Sequence, residues 1–162
     1  MRQSKVTVPL ADAAATRTLG ARLAAALLAD ARAPTTVALS GELGSGKTTL
    51  VAGALAAFGH AGPVRSPTYT LIEPYVFADR ELLHCDLYRL ESTQAVDDLG
   101  LRDVLTAANV LLVEWPDRAG DRLGVADLSV ELEYDGAGRT ATLNAGTPRG
   151  MHLLDLMALD LA

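Results

Sequence analysis

The residues best suited to chemistry lie in one stretch, Gly41-Glu42-Leu43-Gly44-Ser45-Gly46-Lys47-Thr48-Thr49. Gly41 and Gly46-Lys47-Thr48 fit the pattern G-x-x-x-x-G-K-[ST] of a phosphate-binding loop. Glycines let such a backbone turn through positive φ and bring its N–H groups up to phosphate oxygens. The start of the helix that follows adds unpaired N–H groups and the positive end of its dipole. Lys47 reaches the β- and γ-phosphates as a point charge, and the Thr48 hydroxyl binds Mg²⁺. The chain has only two lysines, Lys5 and Lys47, and otherwise uses arginine. A Gly-rich surface turn is the bland alternative, and the flanking elements speak against it.

A nucleoside triphosphate site also needs a carboxylate for the metal and a group that orients the attacking water. Apolar strands ending in an acid supply both, because strand ends open into the crevice where the ligand lies. Glu114 ends the apolar run Asn109-Val110-Leu111-Leu112-Val113. Asp86 follows Leu82-Leu83-His84-Cys85. An exposed acid at a strand terminus is the alternative for each. His84 reads as a core, orienting or catalytic histidine, and Cys85 as a small apolar core residue. Trp115 is either a core anchor or a partner contact. Arg89 answers a phosphate or pairs with an acid.

These residues need a scaffold, and hydrophobic periodicity supplies one. Val6–Val8 reads as a short strand. Asp12 caps a helix from Ala13 to Ala31, with Leu19, Leu23, Leu27 and Leu28 at helical spacing. Strand Thr36–Leu39 leads into the glycine loop, and helix Lys47–Phe58 leaves it. Tyr69–Phe77 and Glu81–Tyr88 form a hairpin-like pair about Ala78-Asp79-Arg80. Glu91–Leu99 and Leu101–Ala108 look helical, and Asn109–Val113 suits a buried central strand stopped by Pro116. Leu128–Tyr134 and Arg139–Asn144 make a second hairpin, and Met151–Leu161 a terminal helix. The fold class is α/β, organised as one domain over residues 1–162.

Length allows a substantial core, and nearly half of the 162 residues are apolar. The net charge of −6 argues against nucleic-acid binding driven by the protein's own field. The single cysteine excludes an internal disulfide. No segment reads as a signal peptide or a membrane span, and the expected location is the cytoplasm.

Four segments together resemble the TsaE (YjeE) family of small ATPases of bacterial tRNA threonylcarbamoyladenosine synthesis. They are Gly41–Thr49, Ser66-Pro67-Thr68-Tyr69-Thr70-Leu71, His84-Cys85-Asp86-Leu87-Tyr88-Arg89-Leu90 and Val113-Glu114-Trp115-Pro116. The phosphate loop is shared by many families, and the other three segments are far more specific. The resemblance runs from about Leu10 to Pro116 and is weak beyond. It implies a P-loop NTPase-like three-layer α/β/α sandwich with a mixed central sheet. It implies ATP bound by Leu43, Gly44, Ser45, Gly46, Lys47 and Thr48, with Thr49 beside them. Mg²⁺ then touches Thr48 and Glu114, Asp86 serves hydrolysis, and Thr68 lies in a switch-like segment near the γ-phosphate. Residues around Ala13 line the adenine side. Cys85 stands where the family usually has a larger apolar residue. The implied partners are TsaD and TsaB synthase subunits, with tRNA reached only through that complex and weak ATPase activity alone.

A GTPase is excluded, and a small-molecule kinase and a nucleotide-dependent binding module remain as rivals. A GTPase needs an Asn/Thr-Lys-x-Asp segment, which two lysines at these positions do not provide. A small-molecule kinase needs an arginine-bearing lid, for which the stretch after Asp86 offers only Arg89 and Arg102. A nucleotide-dependent binding module would keep Gly41–Thr48 without a water-positioning acid.

Overall fold

The computed structural model describes residues 3–30, 34–67, 69–100, 103 and 109–159. Thr68 and nearly all of the expected helix Leu101–Ala108 fall outside them. Seven strands form one mixed sheet: β1 (Lys5–Leu10), β2 (Thr35–Gly41), β3 (Ile72–Val76), β4 (Glu81–Asp86), β5 (Asn109–Glu114), β6 (Leu128–Asp135) and β7 (Gly138–Ala145). Their spatial order is β1-β7-β6-β2-β5-β4-β3. The inner strands β6, β2, β5 and β4 run parallel. Antiparallel pairs β1–β7, β6–β7 and β3–β4 close the sides.

Strand alternation sorts side chains onto two covered faces. Val37, Leu39, Leu82, Val110, Leu112, Val130 and Leu132 pack beneath α1 (Ala13–Ala29), α2 (Lys47–Phe58) and α4 (Pro148–Met157). Ala38, Leu83, Cys85, Leu111 and Val113 face the other way. There they meet Val96 of the short helix α3 (Gln94–Asp98) and Ala119 of the 3₁₀ turn Pro116–Ala119. The sheet is therefore flanked by helical segments on both faces, as expected for the α/β sandwich.

α1 begins where Asp12 predicts: the Ala15 N–H donates to Asp12 Oδ1 at 2.8 Å. It stops at Ala29, and Asp30 caps it in an extended conformation. Leu19, Leu23 and Leu27 are buried, whereas Leu28 is 45% exposed, one step of about 100° from Leu27 around the helix. Two glycines let α1 and α2 touch backbone to backbone. A Cβ on Gly20 would come within 2.1 Å of the Leu50 carbonyl oxygen, and one on Gly53 within 2.1 Å of that of Arg17. This crossing fixes the start of α2, and with it Lys47 and Thr48.

Elsewhere the boundaries shift for local reasons. β3 starts only at Ile72, because the Leu71 N–H closes a turn onto the Pro67 carbonyl at 2.8 Å with Leu71 at φ 64°. α3 covers only Gln94–Asp98 of the expected Glu91–Leu99. α4 opens three residues before the expected Met151, because Thr147 accepts from the Gly150 N–H at 3.1 Å. Pro148 also suits the first helical turn. Among the described residues no helix is long and apolar enough to cross a membrane.

Candidate functional site

The parallel strands β2, β4 and β5 all point their carboxyl ends to one edge of the sheet, delivering Gly41, Asp86 and Glu114 together. Asp86 and Glu114 are register partners across β4 and β5, and Glu114 also pairs with Leu39 of β2. A ligand crevice is expected beyond such strand ends. A cavity of about 330 Å³ lies there. The loop contributes Leu43, Gly44, Gly46, Lys47, Thr48 and Thr49, and Ser66, Asp86, Tyr88, Glu114 and Trp115 close the opposite wall.

The loop takes the conformation its glycines allow. Gly41 and Gly46 sit at φ 143° and 110°, in territory L side chains rarely occupy. Gly46 is the N-cap of α2, and among the described residues no side chain caps that helix. The first N–H groups of α2 are thus left for an anion. Gly41 does not line the cavity: it makes the turn behind the loop, where a Cβ would meet the Leu132 carbonyl oxygen at 2.5 Å. Ser45 is fully buried and faces a second, smaller hollow.

Lys47 is 5% exposed. Its Nζ donates to the Gly41 carbonyl at 2.6 Å and to the Glu42 carbonyl at 3.0 Å, and lies 4.4 Å from the centre of the Trp115 ring. Burial lowers the Lys47 pKa, while Glu114 and Asp86 pull the other way. Thr48 Oγ1 lies 3.2 Å from both carboxylate oxygens of Glu114. Glu114 Oε2 is also 2.5 Å from His84 Nε2. Asp86 accepts from the Tyr88 N–H at Oδ1, at 2.9 Å, and from the Ser66 hydroxyl at Oδ2. Both acids are almost fully buried, which answers the exposed-terminus alternative.

A second hollow of about 180 Å³ adjoins the other side of the loop, between Asp12, Ala13 and Thr16 of α1 and the β6–β7 turn at Ala137–Arg139. Ala13 therefore stands beside the phosphate loop. The hairpin also grips the loop: Tyr134 Oη donates to the Leu43 carbonyl at 2.7 Å, and Arg139 Nη2 to that of Gly44 at 3.2 Å. The Arg139 guanidinium stacks on the Tyr134 ring at 4.1 Å.

Among the expected residues, Lys47, Thr48, Thr49, Asp86 and Glu114 meet around one cavity. Trp115 is half-buried at its mouth, with Tyr88 5.0 Å away. Arg89 is exposed and stacks on Tyr69 at 4.9 Å. Four further residues shape the site without an expected role of their own: Ser66 and Tyr88, which stand in the family-like segments, and Tyr134 and Arg139. Only the last two lack any local signal, since they approach the loop through sheet topology.

A family model for the threonylcarbamoyl adenosine biosynthesis protein TsaE matches residues 10–141. The chain belongs to the TsaE family. The match runs well past Pro116, so the resemblance reaches β6 and the start of β7. The chain is 40% identical over 118 residues to the tRNA threonylcarbamoyladenosine biosynthesis protein TsaE of Haemophilus influenzae, spanning 73% of this chain and 75% of that one. It is 33% identical over 153 residues to the TsaE protein of a Nostoc species, spanning 92% and 90%. The crystal structure of Bacillus subtilis YdiB superposes with a TM-score of 0.78 at 26% identity, over 95% of this chain and 94% of that one. TsaE proteins take part in tRNA threonylcarbamoyladenosine biosynthesis.

Proposed function

We propose that this chain binds and hydrolyses Mg-ATP in support of tRNA threonylcarbamoyladenosine synthesis, acting beside TsaD- and TsaB-type synthase subunits. The observation that carries this reading is the convergence of Lys47, Thr48, Asp86 and Glu114 on one cavity at the strand ends. The donor set fits magnesium. Thr48 Oγ1 and the Glu114 carboxylate are hard oxygen ligands already in contact, and Mg²⁺ usually takes one or two carboxylates together with substrate phosphates and water. Bound there, Mg²⁺ would supply charge neutralisation for the phosphate oxygens.

The chain's own groups do the rest. Lys47 and the N–H groups of α2 hold the triphosphate, with Ala13 on the adenine side. Asp86 orients a water that attacks the γ-phosphorus, forming one P–O bond as the bond to the ADP oxygen breaks. The Ser66 hydroxyl and the Tyr88 N–H hold the Asp86 carboxylate, one at each oxygen, and each oxygen keeps a lone pair that can accept from the water. The net charge of −6 supports contact with tRNA only through partners, in the cytoplasm where tRNA is modified.

Phosphate release should be measured for the isolated chain and after adding TsaD–TsaB-type subunits. Slow Mg²⁺-dependent release is expected alone and a change on adding the pair. Nucleotide binding with no release in either condition would favour a non-hydrolysing binding module. Tight tRNA binding by the isolated chain at physiological salt would contradict the indirect role.

A further inference from the structure

We infer that His84 is a positioning residue for the metal carboxylate, holding Glu114 in the orientation that Mg²⁺ binding requires. The inference rests on the reading of Thr48 and Glu114 as the magnesium site. Leu82, His84 and Asp86 alternate onto one face of β4, and His84 is the register partner of Leu112 on β5. That face carries the apolar core beneath α1 and α2, where Leu82 and Leu112 are both fully buried. An imidazole at 0% exposure is out of place in such a layer unless a polar contact there requires it.

One such contact exists. His84 Nε2 lies 2.5 Å from Glu114 Oε2, while Nδ1 is buried and has no hydrogen-bond partner among the described residues. Glu114 must be ionised to hold Mg²⁺ as the reading above has it, and an imidazole that bonds to an ionised carboxylate does so as the donor, through Nε2–H. Apolar packing would be served as well by leucine, so what histidine adds is this directed bond. A carboxylate at a strand end has rotational freedom about its last torsion. The His84 bond restricts it at Oε2, so the carboxylate presents both oxygens to Thr48 Oγ1, 3.2 Å from each. His84 is not among the residues that line the cavity, so its route to the site is through Glu114. Partners that orient metal ligands in this way commonly change metal affinity by about 10- to 100-fold when removed.

The test compares His84→Gln, which keeps a donor on a long side chain, with His84→Met, similar in length but without one. ADP affinity is measured by calorimetry with Mg²⁺ and with chelator, and Mn²⁺ binding in the presence of ADP by electron paramagnetic resonance. The expected result is that His84→Met weakens Mg²⁺-dependent ADP binding and Mn²⁺ binding about tenfold or more, with chelator-state ADP affinity unchanged. His84→Gln should recover most of the loss. If His84→Met is unstable, a folded His84→Leu is expected to show the same loss. Full Mg²⁺ enhancement in a donor-less variant, or equal losses with and without metal, would overturn the inference. Wild-type ADP binding indifferent to Mg²⁺ would instead remove the magnesium reading beneath it, and this inference with it.

Discussion

Lys47→Met separates the charge of Lys47 from its packing. Methionine keeps an apolar stem against Trp115 and removes only the ammonium. That ammonium is held by the Gly41 and Glu42 carbonyls, at 2.6 and 3.0 Å, and by the Trp115 face at 4.4 Å. Under the proposed function a bound nucleotide would exchange these contacts for phosphate oxygens, whose formal charge makes them the stronger acceptors. Hydrogen bonds to charged groups contribute roughly 1.5–3 kcal/mol each. Losing one or two of them costs about 3 kcal/mol, or about two orders of magnitude in affinity. Folding should survive, since burial already depresses the Lys47 pKa and an uncharged side chain avoids that desolvation. The assay is calorimetric titration with ADP and Mg²⁺. The lone tryptophan adds a second readout: ADP should change its emission in wild type and not in Lys47→Met. ADP affinity within twofold of wild type in a folded variant would refute the assignment.

Three further outcomes follow from the packing and the second hollow. Gly20→Ala would gain about 1 kcal/mol of helix propensity. A Cβ 2.1 Å from the Leu50 carbonyl outweighs that gain, so a net loss of about 2 kcal/mol and a Tm lower by roughly 4–8 °C is expected by calorimetry; an unchanged Tm would contradict the close crossing. Burial, with Asp86 and Glu114 adding to it, pushes the Cys85 thiol from its ordinary 9.0 up to about 12. The native thiol should resist disulfide-exchange reagents at pH 8 and react on unfolding. Between pH 9 and 12 the unfolded chain releases this proton first, so the Cys85 contribution to stability should fall as pH rises through that window; rapid native labelling would count against it. Arg139→Ala removes the guanidinium beside Ala13 and the bond to the Gly44 carbonyl, and should weaken ADP binding several-fold, roughly 1 kcal/mol. Unchanged affinity would place the nucleotide away from that hollow.

Local signals made the scaffold of the site readable. Asp12 as a cap, leucines four apart in α1, and an apolar run ending at Glu114 each depend on neighbours in sequence. So does the phosphate loop, whose glycines announce their own backbone. The errors arose where a second local signal competed. Thr147-Pro148 starts α4 before the apolar spacing does, and Leu28 shares the composition of the buried leucines but not their side of the helix. What could not be read depends on strand order. Thr48 meets Glu114 because β2 lies beside β5, and His84 meets it because β4 lies on the other side of β5. Tyr134 and Arg139 reach the loop because β6 runs parallel to β2 and ends at the same edge. Nothing near those residues in sequence encodes that adjacency.

Asp86 is proposed to serve hydrolysis at a nucleotide site built by Lys47, Thr48 and Glu114. Asp86→Asn preserves size and removes the charge beside the water it is proposed to orient. Phosphate release under single-turnover conditions, paired with ATP-analogue affinity on the same preparation, tests this most directly. The expected result is release slower by about 100-fold or more, with affinity within about threefold of wild type. Phosphate release at the wild-type rate by Asp86→Asn would contradict the account.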